Sequence, residues 1–220
     1  HFINLGSSCI YPKKSKQPIK EKYLLTGSLE KTNEAYALAK IVGLKMCEFY
    51  NTQYKKSYLT LMPCNLYGPN DNFDTKNSHF LPALIKKIIQ NKNQKNKSIE
   101  VWGTGKPMRE VMHVDDLASS IFFILIKKIN NNRGLLKQIK KSSVMNIGSG
   151  SEHSIENFAK IICKILGNKN KLNFNKSYPD GTMRKILDSS SIRVLGWKPK
   201  IEIKDGLSST IDWYKKNYIK

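Results

Sequence analysis

The chain has 220 residues, 40% hydrophobic and 25% charged, which suits a soluble globular protein with one substantial core, or a large domain beside a small one. No apolar run approaches the ~20 residues needed to span a bilayer, and no secretory leader is visible at His1; the longest apolar run, Ile121–Ile126, has the length of a buried helix segment. A formal charge of +21 admits a nucleic-acid or membrane surface, but the lysines crowd into Lys/Asn tracts at 91–98 and 130–141, so compositional bias explains most of it.

Phe2, Ile3 and Leu5 end at Gly6 and read as a short buried parallel strand, with Ser7, Ser8 and Cys9 at its carboxyl end. Ligands of open α/β sheets bind beyond such ends. The serines are either an ordinary turn or contacts to a reacting carbonyl, and Cys9 is either a buried thiol or an acid/base group. Cysteines 9, 47, 64 and 163 have no CxxC spacing, which fits free thiols in a reducing compartment. Residues 11–30, with Pro12, Pro18 and Gly27, read as a loop.

Thr32 or Asn33 is the expected cap of a helix whose apolar stripe is Ala39, Val42, Gly43, Met46, Cys47 and Tyr50. Tyr36 and Lys40, four apart, share a face of it and are expected to face the sheet. A close ammonium favours an ionised phenol, so the pair can exchange a proton near neutral pH; the plain alternative is a surface pair. Tyr58–Met62 is the next strand, stopped by Pro63, with Cys64, Asn65 and Leu66 at its carboxyl end. His79 opens an amphipathic helix containing Lys87, a residue for a diphosphate or for solvent.

Residues 91–98 read as a low-complexity loop. Ile99–Trp102 is a strand leading to Arg109, which can grip phosphate or ribose oxygens bidentately or make a structural ion pair. Asp115 and Asp116 open a helix to Lys128 as first-turn charges and not as a metal site, and 129–141 reads as an insertion. Ser143–Ile147 is a strand. The Gly148–Ser154 loop lacks the dinucleotide fingerprint, and Ser154 caps the helix Ile155–Leu166. Pro179–Gly181 is a turn that can aim Asp180 and Lys185 at a ligand. Asp188 caps a short helix, and a final amphipathic helix lies near Gly206–Lys216.

Leu5–Pro12, Thr32–Lys40, Met62–Phe73, Asn77–Leu84, Trp102–Asp116 and Pro179–Asp188 together resemble the GDP-L-fucose synthases, a branch of the extended short-chain dehydrogenase/reductases. The resemblance runs through nearly the whole chain in order. YxxxK with an upstream Ser is the superfamily signature, and the Ser-Ser-Cys and Asn-Ser-His segments narrow it to this branch.

The resemblance implies the α/β fold of the C-terminal part of a doubly wound Rossmann sheet, with a smaller α/β substrate domain. Residues 1–66 would be the remainder of the NADP-binding domain, and 67–220 mainly substrate domain, with about 99–130 returning to the sheet. No GxxGxxG follows a strand, so a nucleotide-binding segment of about 100 residues is expected ahead of His1.

The implied catalytic set is Tyr36, Lys40, Ser7, Cys9 and His79. NADP(H) would contact Leu5, Gly6, Ser7, Ser8, Tyr36, Lys40, Pro63, Asn65, Leu66 and His79; a GDP-sugar would contact Lys87, Trp102, Arg109, Asp180 and Lys185. Cys64 stands where the family usually has a small hydroxyl residue. The resemblance also implies a cytoplasmic homodimer that needs no metal, membrane or nucleic acid. The rival readings are a related sugar-nucleotide epimerase or dehydratase and, from another class, a basic nucleic-acid-binding module.

Overall fold

A computed structural model describes the chain except residues 75–77, 93, 95, 96 and 220, so Asn77 of the Asn-Ser-His segment and part of the 91–98 tract lie outside the described residues. The strands are β1 (Ile3–Leu5), β2 (Leu59–Pro63), β3 (Asn65–Tyr67), β4 (Ile99–Trp102), β5 (Met108–His113), β6 (Val144–Ile147), β7 (Glu152–Ser154), β8 (Leu172–Asn175) and β9 (Arg184–Lys185). The helices are α1 (Glu34–Tyr54), α2 (Phe80–Lys92), α3 (Val114–Ile129), α4 (Arg133–Lys141), α5 (Ile155–Leu166), α6 (Ser190–Val194) and α7 (Ile203–Tyr218). They divide into two compact units: 1–66, 110–151 and 185–200 form the first, and 67–109, 152–184 and 201–220 the second.

The first unit is built on a parallel sheet of order β1-β2-β6, with Leu5 opposite Leu61 and Met62 opposite Asn146. Every residue of β2 is buried, as a strand covered on both faces requires. Leu59, Leu61, Met62, Val144, Met145 and Ile147 join Ile41, Leu44, Ile124 and Ile192 in one core; burying each such side chain contributes roughly 1.5–3 kcal/mol. Pro63 is the last residue of β2, and the next amide, Cys64 N–H, donates to Ile147 O at 3.0 Å. Gly6 is tightly packed: a Cβ there would lie 2.5 Å from Met62 Sδ, so the buried methionine would have to shift.

The helix α1 carries its buried stripe on Ala37, Ile41, Leu44 and Cys47. Of the expected stripe only Cys47 is right; Val42, Met46 and Tyr50 are exposed, and so is Tyr36, at 47%. The helix is apolar on two faces, so periodicity alone does not choose which face meets the sheet. Residues 129–141, read as an insertion, contain α4: Asn132 Oδ1 accepts from Leu135 N–H at 3.0 Å as its cap, and Leu135 and Ile139 are buried. The 11–30 loop is fastened by the buried Asn146, whose amide donates to Ile19 O at 2.9 Å and Asp188 O at 3.2 Å and accepts from Tyr11 Oη at 2.7 Å.

The second unit pairs β4 with β8 in parallel and packs α2 on α5 and α5 on α7. Ser154 Oγ caps α5, accepting from Asn157 N–H at 3.0 Å. The buried stripes are Leu81, Leu84, Ile85 and Ile88 on α2 and Phe158, Ala159, Ile162 and Leu166 on α5. The ring of Phe73 lies 4.6 Å from Tyr214 and 5.8 Å from Tyr218, which seals α7 against the loop before α2. That helix begins at Ile203, a turn earlier than its apolar pattern predicts.

Candidate active site

In the first unit the chemistry-bearing residues collect where neighbouring parallel strands end. Beyond β1 the chain makes a tight turn over Ser8–Ile10, and Ser7 Oγ accepts from Cys9 N–H at 3.1 Å as its cap. Ser8 and Ile10 are buried and anchor the turn, while Cys9 is half-buried. The Cys9 sulfur accepts from Lys185 Nζ at 3.3 Å. Lys185, assigned by resemblance to a sugar nucleotide, thus places an ammonium directly on the thiol of the same unit.

The helix α1 packs against this turn. Lys40 Nζ donates to Leu5 O at 2.9 Å, pinning the helix to the end of β1, and lies 5.8 Å from the Tyr36 ring centre. Leu5, Gly6, Ser7, Ser8, Cys9, Tyr36 and Lys40 therefore sit around one strand end. Tyr36 does not pack on the sheet as expected; it is half-exposed beside Lys40. Beyond β2 the buried Cys64 has its thiol pushed well up by burial and, secondarily, by Glu110. Asn65 Nδ2 donates to Glu110 O at 3.3 Å, which fixes Pro63, Asn65 and Leu66 next to β5.

Glu110 itself was missed in the sequence. It is 1% exposed, and its carboxylate accepts from Gly150 N–H at 2.7 Å and Leu187 N–H at 2.9 Å. Burial pushes its pKa up, against the pull of those two amides. It ties β5 to the loop after β6 and to the segment holding Lys185, so it positions the Cys9 neighbourhood. The available signal was weak: a carboxylate directly ahead of Val111-Met112, with Arg109 before it.

The remaining assigned residues belong to the second unit. His79 is exposed immediately before α2, and its carbonyl accepts from Ala83 N–H at 3.1 Å. Lys87 Nζ lies 5.2 Å over the Trp102 ring and 3.8 Å from a Glu100 oxygen. Trp102 stacks on Tyr178 with centroids 4.4 Å apart and planes 11° from parallel. This exposed platform joins an ammonium to two aromatic faces.

Asp180 closes an adjacent turn. One oxygen accepts from Thr104 N–H at 2.6 Å and the other from Thr104 Oγ1 at 2.7 Å, and these bonds hold its carboxyl below the usual range. Gly103 is obligatory there, with φ of +80° and no space for a Cβ beside Asp180. Arg109 Nη1 donates to Met108 O at 2.9 Å and Thr182 O at 2.6 Å; burial pushes its pKa down and Asp180 partly offsets that.

A parallel α/β sheet with a Tyr-Lys helix and a Ser turn at its carboxyl edge defines a class. Residues 1–148 match the profile of the NAD dependent epimerase/dehydratase family, and the chain belongs to it. Among its relatives, "Probable GDP-L-fucose synthase 1" of Oryza sativa subsp. japonica is 48% identical over 218 residues, 99% of this chain. The chain spans 63% of that relative's length.

Two solved structures share the fold at substantial identity. A GDP-6-OMe-4-keto-L-xylo-heptose reductase from C. jejuni aligns with a TM-score of 0.84 and 37% identity, covering 97% of this chain and 70% of that one. A GDP-L-fucose synthetase from Naegleria fowleri bound to NADP aligns at 0.82 and 26%, covering 98% and 66%.

Proposed function

We propose that the protein carrying this chain converts GDP-4-keto-6-deoxy-D-mannose to GDP-L-fucose, by 3,5-epimerisation followed by NADPH-dependent 4-reduction. The observation that carries the reading is the packing of the Ser7–Cys9 turn on the Tyr36/Lys40 helix, with Lys40 bonded to Leu5 O at 2.9 Å. The kinship to GDP-L-fucose synthases supports the substrate, and the NADP in the Naegleria structure supports the cofactor.

The donor set fits that cofactor. Lys40 has one N–H on Leu5 O and two more for ribose hydroxyls, at the strand edge where nucleotides bind in such sheets. Once bound, the nicotinamide supplies a hydride to C4. The 4-keto group acidifies the C–H bonds at C3 and C5. Cys9, as its thiolate, accepts those protons while the Lys185 ammonium donates to its sulfur, and His79 returns protons as acid. Ser7 donates to the C4 oxygen, Tyr36 protonates it as reduction proceeds, and Lys40 holds the phenol poised. Lys87, Trp102, Arg109, Asp180 and Lys185 serve the GDP-sugar in this reading.

The test is a reaction in D2O. Cys9→Ser is expected to slow deuterium entry at C3 and C5 by about 100-fold or more, while Tyr36→Phe slows NADPH oxidation by a similar factor and leaves exchange intact. Normal exchange in Cys9→Ser would remove the epimerase half and leave a GDP-sugar 4-reductase, the activity named for the C. jejuni neighbour.

The same reading places the protein in the cytoplasm as a homodimer. The stripe Leu38, Val42, Met46 and Phe49 on α1, 51–63% exposed, supports a second copy over that face. A monomer mass by light scattering at micromolar concentration would refute the dimer.

A further inference from the structure

Away from the strand-end site, the first unit holds a cleft of about 600 Å³ between α3, α4 and α6. That volume is in the range of small-molecule sites. Lys127 of α3 and Lys137 and Lys141 of α4 line it together with Gln138, Ser191 and Val194. The fold puts them there for a simple reason. The short helix α4 turns Leu135 and Ile139 inward, so Lys137 and Lys141, four residues apart, share the opposite side.

The cleft has an unbalanced charge. No acidic side chain lines it, and among the described residues none of these lysines has a carboxylate within ion-pair distance. Lys127 meets only an aromatic face, 4.9 Å from the Phe123 ring centre. Three lysines on the lining of one cleft with no acidic side chain make it electropositive, and a multivalent anion supplies the missing counter-charge. Neutral donors are also present: Gln138 Nε2 donates to Ser191 Oγ at 3.4 Å, so the serine retains its own hydroxyl proton for a ligand. The apolar wall is Val194, 88% exposed, with Leu195 beside it.

We propose that this cleft binds a small molecule bearing a diphosphate or longer phosphate chain, with the phosphates on Lys127, Lys137 and Lys141 and an organic group against Val194. Lysine suits phosphate as a point charge, and a single orthophosphate carries too little charge to engage all three. The site stands apart from Cys9 and Tyr36 and does not depend on the reaction proposed above.

Inorganic pyrophosphate is titrated into the full chain by calorimetry, and paired variants tell the cleft from any other diphosphate site. Lys137→Gln/Lys141→Gln is expected to weaken binding by about tenfold or more. Lys164→Gln/Lys169→Gln, on and just after α5, is expected to leave it unchanged, and orthophosphate is expected to bind more weakly than pyrophosphate. The proposal is overturned by absent pyrophosphate binding or by equal affinities in the two variants. All four lysines are exposed, so the variants should melt with the wild type; if the cleft double variant does not, Lys127→Gln is read in its place against the same criteria.

Discussion

The two units are held together inside by different means. The first buries Glu110, Asp116, Lys128, Asn146, Thr60 and Ser120 within its core, whereas the second buries only Asn168 and Thr210 among its described polar side chains. The second relies on rings and aliphatic stripes: Phe73 on Tyr214, Phe80 on Phe158, and the leucines and isoleucines of α2. Apolar packing is non-directional and tolerates small shifts, while a buried polar network fixes relative positions and is costly when half-satisfied. The network lies in the unit that also contains Cys9, Lys40 and Lys185.

Three substitutions sharpen that contrast. The largest expected effect is Phe158→Ala, which removes a ring with no solvent exposure from the second unit and should cost about 3–5 kcal/mol in denaturant unfolding. A loss below about 1 kcal/mol would show that the ring packing is dispensable.

Next is Glu110→Gln. One of its two backbone amides would face an NH2 group, so stability should fall by about 1–3 kcal/mol. Its pH profile follows from the raised carboxyl: the folded state holds its proton to higher pH than the unfolded chain, so the wild-type contribution is complete below the ordinary glutamate range and is lost as pH rises through the folded value. The stability gap between wild type and variant should therefore be widest in acid and narrow towards neutrality; a gap independent of pH refutes the assignment.

The smallest effect is expected at Lys128, 3% exposed, whose ammonium donates to Ser57 O and whose pKa burial pushes down. Lys128→Met exchanges a buried charge for an apolar chain of similar length, and stability at pH 7 should change by no more than about 1 kcal/mol. A loss as large as that of Phe158→Ala would make the buried ammonium a packing element and collapse the distinction between the units.

Much of this was readable from residues alone. The strands around Leu5 and Leu61, the Tyr36–Lys40 spacing and the Ser154 cap are local signals, and local physics determines them, although the first strand, expected to be buried, leaves Phe2 and Leu5 exposed. The phase of α1 was not readable, since both of its faces are apolar and only the partner sheet selects Ala37, Ile41 and Leu44. The helix α4 was hidden because two buried residues, Leu135 and Ile139, sit in a run whose lysines suggested an unstructured tract, although lysine, leucine and glutamine all favour helix. The tie from Glu110 to Gly150 and Leu187 joins residues 40 and 77 positions apart, beyond any local pattern. The Lys185–Cys9 contact spans 176 positions and was equally invisible.

On the function proposed above, the bond from Lys40 to the Leu5 carbonyl makes one side chain both a reagent and a latch. Shortening or neutralising it would remove a charge beside the phenol and, in the same stroke, unfasten the strand tip from which the serine and thiol project. A kinetic deficit in Lys40→Met would therefore sum two separate injuries, whereas an arginine that still reached the carbonyl would keep both the fastening and the charge.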